Sequence, residues 1–197
     1  MSKIKIRPKW LRLTEEINAL DYLQQAHNFL LHTEKNPIFW KWVIISLYGA
    51  LYGFAICALK GTNYHMVTFE TKKGLRKLIT FDEALRRCQN INQMRLGGTR
   101  RALSLSDGQR ESIRILEKYY RNRFIHYKPL FWYIELHDVP LITMDVLGVV
   151  RFLALSGGLY VNLNKNQRKK IKSLIFQSRH FLKKSKLYQE ATLASKV

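Results

Sequence analysis

The chain has few acidic residues. Asp and Glu number 14 against 34 Lys and Arg, so the formal net charge is +20. A field of that sign attracts polyanions whatever the fold, and nucleic acid is therefore the leading class of partner, ahead of an anionic membrane or an acidic protein. The acidic residues are also scattered, which argues against a nuclease built on carboxylate-bound metal ions. The alternative interpretation is that the basic surface only keeps the protein soluble.

Cysteine and the common cofactor motifs are also scarce. Cys57 and Cys88 are the only cysteines, and they lie on segments predicted as separate helices, without metal-ligand spacing or a disulfide framework. The chain contains no P-loop, GxGxxG, HExxH or CxxC motif. The basic stretch 1–9 is followed by no apolar run of signal-peptide length. We therefore expect a cytoplasmic protein without a metal ion or a cofactor.

Hydrophobic periodicity predicts an all-α bundle of about five to six helices. The last of them, from Lys165 to Lys186, carries nine Lys or Arg and predicts either a phosphate-binding or a membrane-surface helix, or a solvated basic face. We assign residues 1–160 to the bundle, and 161–197 to a basic C-terminal helix and tail packed on or appended to the same domain. The six helix starts are predicted from N-cap signals at Thr14, Asn36, Thr80, Ser106, Asp138 and Asn164.

Two stretches depart from the amphipathic pattern. Residues 61–79 alternate around Lys72-Lys73-Gly74, which predicts a small hairpin between the second and third helices, or a loop lifted off the bundle. Residues 42–59 carry no charge and contain Gly49 and Gly53 in a GxxxG spacing. That stretch is at the lower limit for a membrane span. We favour a helix buried on nearly all sides, with one face pressed on another subunit as an option.

The stretch that suggests chemistry is Arg121-Asn122-Arg123-Phe124-Ile125-His126. It combines a permanent cation suited to phosphate, a small amide and a side chain that titrates near neutrality. A regular α-helix would place Arg121 and His126 about 140° apart around its axis. The Arg121 and His126 side chains can therefore meet only if the helix loosens before Pro129, or if two chains pair about a two-fold axis.

The helical wheel of the same segment separates three lines of residues. Ile113, Leu116, Tyr120 and Phe124 form a core stripe, and Asn122 and His126 lie at its shoulder. Arg114, Lys118 and Arg121 form a third, basic line. The simplest structural interpretation is a helix end where Asn122 and His126 bond to backbone carbonyls and Arg121 pairs with a surface acid.

Arg121, Asn122 and His126 in this order resemble the signature of the HEPN superfamily, which is Arg, a polar residue and a later His near a helix end in a small all-α bundle. The aromatic connector from Tyr127 to Leu136 and the uncharged second helix also resemble bacterial HEPN-type proteins, so the resemblance covers roughly residues 14–157. It implies a homodimer whose two motifs line one cleft, and a metal-independent ribonuclease or toxin, although some relatives have lost activity. By the same resemblance His126 is the general acid or base, Arg121 stabilises phosphate charge and Asn122 orients the phosphate or the imidazole.

The sequence thus predicts a homodimeric HEPN-type endoribonuclease of a bacterial toxin–antitoxin or defence system. Its partners would be RNA and an antitoxin or defence protein. The alternatives are a non-catalytic HEPN-like module that binds nucleic acid or protein and, least favoured, a membrane-associated basic protein. Besides the three motif residues, the predicted nucleic-acid contacts are Lys118, Arg123, Tyr127, Lys128, Arg86, Arg87, Lys169 and Lys170.

Overall fold

The structure is a computed structural model that describes residues 10–61, 63–99, 101–126, 131, 133–156 and 163–194. It is a mostly helical bundle with one small two-stranded sheet, which confirms the all-α prediction. The elements are α1 (Glu15–Leu30), α2 (Phe39–Lys60), a 3-10 turn (Tyr64–Val67), β1 (Thr68–Glu70), β2 (Arg76–Leu78), α3 (Phe81–Cys88), α4 (Ile91–Leu96), α5 (Asp107–Arg114), a π-helical segment (Ile115–Arg121), α6 (Asn122–Ile125), α7 (Val139–Leu155), α8 (Lys165–Lys184) and α9 (Lys186–Ala194).

The centre of the bundle is α2, which packs against α1, α3, the π-helical segment and α7. Leu47, Leu51 and Phe54 on α2 are fully buried. Among the described residues α2 is the one helix long and apolar enough to cross a membrane, but 67% of that apolar stretch is buried inside the bundle. A core helix of a soluble protein has the same composition, and its burial here accounts for the missing charges.

The GxxxG spacing on α2 is used within the chain, in the contact with α1. A Cβ atom on Gly53 would lie 2.8 Å from the Cβ of Ala19, and one on Gly49 would lie 2.6 Å from Cδ1 of Tyr22. Both distances are too short for a real contact, so the two glycines are what lets α1 approach α2 this closely. The small-residue face that suggested lipid or another subunit is covered by α1.

Two of the predicted N-caps, Ser106 and Asn164, form complete capping boxes. The Ser106 and Asn164 side chains accept the backbone N–H groups of Gln109 and Gln167, and both glutamine side chains return the bond. The predicted N-cap at Thr80 also forms, but without the return bond of a capping box. Thr80 accepts the Glu83 N–H at 3.3 Å, but the Glu83 carboxylate binds two arginines instead of the Thr80 backbone, because a charged donor is the stronger partner.

Several helix boundaries differ from prediction. The Asn36 side chain accepts the Ile38 N–H at 3.0 Å, yet α2 begins only at Phe39 because the intervening residues form a turn. The third helix was expected to run about three turns, but the N-cap at Asn90 starts the separate helix α4. The C-terminal helix ends at Lys184, since Ser185 is extended, and α9 was not predicted. The predicted stop at 157–158 lies outside the described residues.

The predicted hairpin is present between α2 and α3. Strands β1 and β2 pair antiparallel, with Thr68 opposite Leu78 and Glu70 opposite Arg76. Gly74 in the connecting turn has a φ of 72°, a conformation that glycine adopts without steric cost.

The basic helix α8 packs on the same hydrophobic core as the rest of the bundle. Its buried apolar side faces α1 and α7, and Ile171 and Leu182 are fully buried. His27 on α1, expected as a surface or core histidine, is a core residue whose Nδ1 lies 2.9 Å from Oγ of Ser178 on α8. Residues 165–184 therefore contribute to the bundle core.

Candidate functional site

The candidate site lies at the end of a continuous helical rod, residues 107–125, built from α5, the π-helical segment and α6. The Ser106 capping box starts the rod, and Ile113, Leu116 and Tyr120 fix it to the core at 5%, 0% and 4% exposure. Phe124 is half-buried and packs against the same core. The predicted core stripe is therefore confirmed. The rod delivers Arg121 and Asn122 at its last turns and His126 immediately after it.

The rod is not a regular α-helix. Over Ile115–Arg121 it is a π-helix, and the N–H of Asn122 donates to the carbonyl of Glu117, five residues earlier. π-Helical segments are rare and occur frequently at functional sites. The wider turn changes the direction of side chains relative to α5, so the predicted basic line through Arg114, Lys118 and Arg121 does not form. Arg121 instead turns towards α2 and is half-buried.

Arg121 is held by an aromatic ring and an amide. Its guanidinium carbon lies 4.7 Å from the centre of the Tyr48 ring, a cation–π contact, and its Nη1 donates to Oδ1 of Asn122 at 2.9 Å. Nε is buried and has no hydrogen-bond partner within the described residues. Nor does any described carboxylate form an ion pair with Arg121. The site therefore keeps an un-neutralised cation in a fixed position.

Tyr48 belongs to an aromatic cluster that supports Arg121. Its ring centre lies 4.7 Å from that of Phe81, and Tyr52 meets the Phe81 ring edge-on. The Tyr52 hydroxyl donates to the carbonyl of Ile79. Burial raises the pKa of Tyr48, and the Arg121 charge partly opposes this, so the ring faces the cation as a neutral phenol at neutral pH.

His126 marks the point where the rod ends. Its backbone is extended, with φ −97° and ψ 115°, and its N–H donates to the carbonyl of Asn122 at 3.1 Å. The side chain is exposed. The helix therefore ends before Pro129, but no hydrogen bond or ring contact joins His126 to Arg121 within the described residues. Arg121 and Asn122 are in contact, and His126 is solvent-accessible one turn from Asn122.

A groove beside Arg121 has an aromatic and glycine lining. This tyrosine groove has a volume of about 320 Å³. Gly49 and Gly53 leave room between the rings, because a side chain there would fill the space next to α1. Tyr48 was the residue that sequence reasoning missed, and the signal was two tyrosines one turn apart in an otherwise apolar helix. The groove is lined by Glu15, Asn18, Tyr22, Ile45, Tyr48, Gly49, Tyr52, Gly53, Ile56, Leu78, Arg121 and Ile125.

The predicted nucleic-acid contacts near α3 are engaged in ion pairs. Arg86 and Arg87 both donate to the Glu83 carboxylate, at 2.7 and 2.6 Å, and lower the pKa of Glu83 to about 2. Arg87 also donates to the Met66 carbonyl at 2.8 Å. Lys118 lies 3.2 Å from an Asp82 oxygen and 3.0 Å from a Glu117 oxygen. An RNA phosphate would have to compete with these carboxylates.

The remaining predicted contacts that the structure describes, Arg123, Lys169 and Lys170, form no ion pair with a described carboxylate. The guanidinium carbon of Arg123 lies 3.9 Å from the centre of the Tyr119 ring, on the same rod as the motif. Lys169 and Lys170 are exposed on α8, where they line a shallow depression with α1. Tyr127 and Lys128 lie outside the described residues. The described contacts are spread over α3, the rod and α8. Of these, only Arg123 lies within the stretch from Arg121 to His126.

Known proteins provide no assignment for this arrangement. No family model, curated protein or solved structure matches the chain. The described residues also contain no group of three His, Cys, Asp or Glu side chains that could hold a metal ion.

Proposed function

We propose that this protein is a HEPN-type, metal-independent endoribonuclease whose site is completed by a second copy of the chain. The observation that carries the proposal is the state of Arg121, a cation held by Tyr48 and Asn122 with no described carboxylate to neutralise it. A buried donor without a partner costs about 1–3 kcal/mol. A phosphate oxygen that accepts from the guanidinium would offset that cost and bring the scissile bond to the motif.

The chemistry follows from the side chains of the motif. His126 removes the proton from a ribose 2′-hydroxyl, and the 2′-oxygen attacks the adjacent phosphorus. The bond from phosphorus to the 5′-oxygen breaks, and the partner's His126 donates a proton to that oxygen. Arg121 stabilises the negative charge that develops on the phosphorane. The products are a 2′,3′-cyclic phosphate and a 5′-hydroxyl, and the scheme uses no metal ion.

A second copy is part of the proposal because the attacking 2′-oxygen and the leaving 5′-oxygen lie on opposite sides of phosphorus in an in-line displacement, so one imidazole does not reach both. His126 is exposed at the end of the rod, where a neighbouring chain can reach it. Two chains related by a two-fold axis would each present the same surface to the other. The homodimer is thus required by the proton transfers.

The test is cleavage of single-stranded RNA by purified protein in EDTA. We expect 2′,3′-cyclic phosphate ends from the wild type and no cleavage by His126→Ala. The matched control is His65→Ala, because His65 is also exposed but lies before the hairpin. Cleavage by His126→Ala at the wild-type rate would refute the proposal.

The exposed cations of α8 favour a second candidate function, a non-catalytic module that binds nucleic acid or a partner protein. Lys169 and Lys170 have no ion pair among the described residues, unlike Arg86 and Lys118. This candidate predicts salt-dependent binding with no cleavage by the wild-type protein in the same assay.

A further inference from the structure

A second basic surface lies between α7 and α8, and none of its residues belongs to the predicted site. We name it the α7–α8 groove, and its volume is about 500 Å³. Seven side chains line it, of which four are permanent cations and none is a carboxylate. They are Arg151, Lys172, Ile175, Phe176, Arg179, His180 and Lys183.

The cations of the α7–α8 groove are arranged in rows. Lys172, Phe176 and His180 follow one another at four-residue spacing on α8, and so do Arg179 and Lys183. Side chains four apart lie on one face of a helix, about 6 Å apart along its axis. Arg179 also reaches α7, since its Nη1 lies 3.7 Å from where a Cβ on Gly148 would be. The rows and Arg151 from α7 thus form one continuous positive surface.

The positive charge of this surface is not cancelled by the protein itself. No described acidic side chain forms an ion pair with Arg151, Lys172, Arg179 or Lys183. Helix α8 contains no Asp or Glu at all. Four cations this close repel one another, and a polyanion is the ligand that would relieve the repulsion.

Phe176 gives this surface an aromatic component. Its side chain is 71% exposed, which makes it the one large hydrophobic side chain of α8 that faces water. The rings of Phe176 and His180 are nearly parallel, at 8°, with centres 6.2 Å apart. Exposed flat rings between cations are the arrangement on which unpaired bases stack while their phosphates contact the charges.

A membrane is a less suitable ligand for this surface, because the apolar face of α8 is already buried in the bundle. An interfacial helix inserts a broad apolar side into lipid. The apolar side of α8 is buried against the bundle, with Ile171 at 0% and Leu182 at 0% exposure. Phe176 alone offers too little apolar area for insertion, whereas one ring is enough to stack a base.

We propose that the α7–α8 groove is a binding site for single-stranded nucleic acid. Bases stack on Phe176 and His180, and the phosphates contact the surrounding Arg and Lys side chains. The inference does not depend on cleavage at Arg121 and His126, because stacking and charge require no chemistry. Lys169 and Lys170, the α8 residues predicted from sequence, line a different depression, beside α1.

The experiment measures fluorescence anisotropy of labelled 2′-O-methyl oligouridylate and of oligothymidylate with the full chain. Neither probe has a free 2′-hydroxyl, so binding is read without cleavage. The variants are Phe176→Ala and the double variant Arg151→Gln with Lys183→Gln. Their controls are Phe69→Ala, an exposed ring on the hairpin, and Lys72→Gln with Lys73→Gln, which removes the same charge from the hairpin turn.

We expect Phe176→Ala to weaken binding of both probes at least about fivefold, the lower end of the loss for one stacked base. The Arg151→Gln with Lys183→Gln variant should lower the slope of log affinity against log salt by about 1.4, the value for two single-strand phosphate contacts. The two hairpin controls should bind as the wild type does. Circular dichroism checks that each variant is folded.

Any of four results would overturn the inference. The first is wild-type affinity in Phe176→Ala. The second is an equal loss of affinity in the hairpin double variant, which would mean that total charge alone attracts the probe. The third is equal affinity for a duplex of the same length, because paired bases cannot stack on Phe176. Binding of vesicles containing phosphatidylserine that requires Phe176, without binding of either probe, would assign the groove to lipid instead.

Discussion

Arg114 and Arg121 lie seven residues apart on one helical rod and have different surroundings. Arg114 donates two bonds to Glu111, at 2.7 and 2.6 Å, on the exposed side. Such a solvent-exposed pair contributes little to stability, because water and salt screen it. Arg121 has a tyrosine ring and an amide as partners instead of a carboxylate. The two arginines therefore form a matched pair for separating a functional cation from a structural one.

Arg121→Ala is expected to lower kcat/KM for RNA cleavage by roughly 10²–10³-fold, the usual effect of removing one donor that stabilises transition-state charge. Arg114→Ala should leave cleavage within about twofold of the wild type, since its cation is already paired. Steady-state kinetics on one RNA substrate measures both. Equal losses in the two variants would show that Arg121 has no special role.

Arg121→Ala also measures how much the Arg121 side chain contributes to the stability of the fold. A cation–π contact contributes about 0.5–2 kcal/mol, depending on its burial. Urea unfolding should therefore show only a small loss of stability, so that the loss of cleavage cannot come from unfolding. A loss well above this range would mean that the variant reports folding and not catalysis.

His27 makes the stability of the bundle depend on pH. Burial lowers the pKa of His27 from its ordinary value of 6.5, and the neutral ring contacts Ser178. Because the unfolded chain binds the proton more readily, stability is fully present above pH 6.5 and is lost as the pH falls through the lowered pKa. We expect the urea midpoint of the wild type to fall between pH 7 and pH 5.

The variant His27→Gln should have a smaller change in urea midpoint over the same pH range, since glutamine does not titrate. His32→Ala is the control, because His32 is exposed on the turn after α1 and should leave the pH dependence intact. An identical pH dependence in His27→Gln and the wild type would contradict the assignment to His27.

At the scale of elements, the contact between α1 and α2 positions the tyrosine groove. Gly53 meets Ala19, whose Cα would be only 3.2 Å from a new Cβ, so the backbone of α1 would have to move. Gly49 meets the ring of Tyr22, which is 38% exposed and can rotate away. The two glycines are therefore not equivalent, although the sequence motif treats them alike.

Gly53→Ala is expected to destabilise the protein by about 1–3 kcal/mol, the range for overpacking a core. Gly148→Ala in α7 is the matched control, since its nearest neighbours would lie at 3.6 and 3.7 Å. There the better helix propensity of alanine should add up to about 1 kcal/mol. Urea unfolding of both variants provides the comparison, and a stabilised Gly53→Ala would disprove the close contact.

The rod shows why helix geometry could only partly be predicted. Its start at Ser106 and its core stripe follow from capping and periodicity, and both are confirmed. The predicted direction of Arg121 was wrong because the prediction assumed a regular α-helix. The π-helical hydrogen bond from Asn122 to Glu117 depends on how the rod packs, and no local sequence pattern predicts it.

At the scale of the whole molecule, the basic side chains behind the net charge of +20 are paired with carboxylates in some regions and unpaired in others. Around α3 and α5 the cations are paired with Glu83, Asp82 and Glu111. Along α8 acidic residues are absent from the helix. Of the described surfaces, α8 is therefore the one where a polyanion would meet the fewest competing carboxylates.

In the proposed composite site both chains contribute residues, so cleavage activity should depend on dimerisation. We expect sedimentation velocity to show a species of twice the 23.3 kDa chain mass, and the specific activity to fall on dilution as that species dissociates. His126→Ala should sediment as the wild type does if the histidine acts in chemistry alone. A monomer that cleaves RNA at full specific activity would rule out the shared site.

The sequence by itself determined the local features of this protein. Caps at Thr14, Ser106 and Asn164, the periodic core positions of the rod and the turn at Gly74 depend on residues within about four positions of one another. Those interactions involve only residues close in sequence, so pattern and propensity are enough to predict them.

Only the tertiary structure decided which distant residues meet. The contact of Arg121 with Tyr48, the covering of Gly53 by Ala19 and the groove between Arg151 and Phe176 each join helices far apart in the chain. Their partners are selected by the shape and packing of whole helices, which many sequences satisfy in different ways. For this reason the motif was visible in the sequence, whereas the ring that holds its arginine and the second basic surface were not.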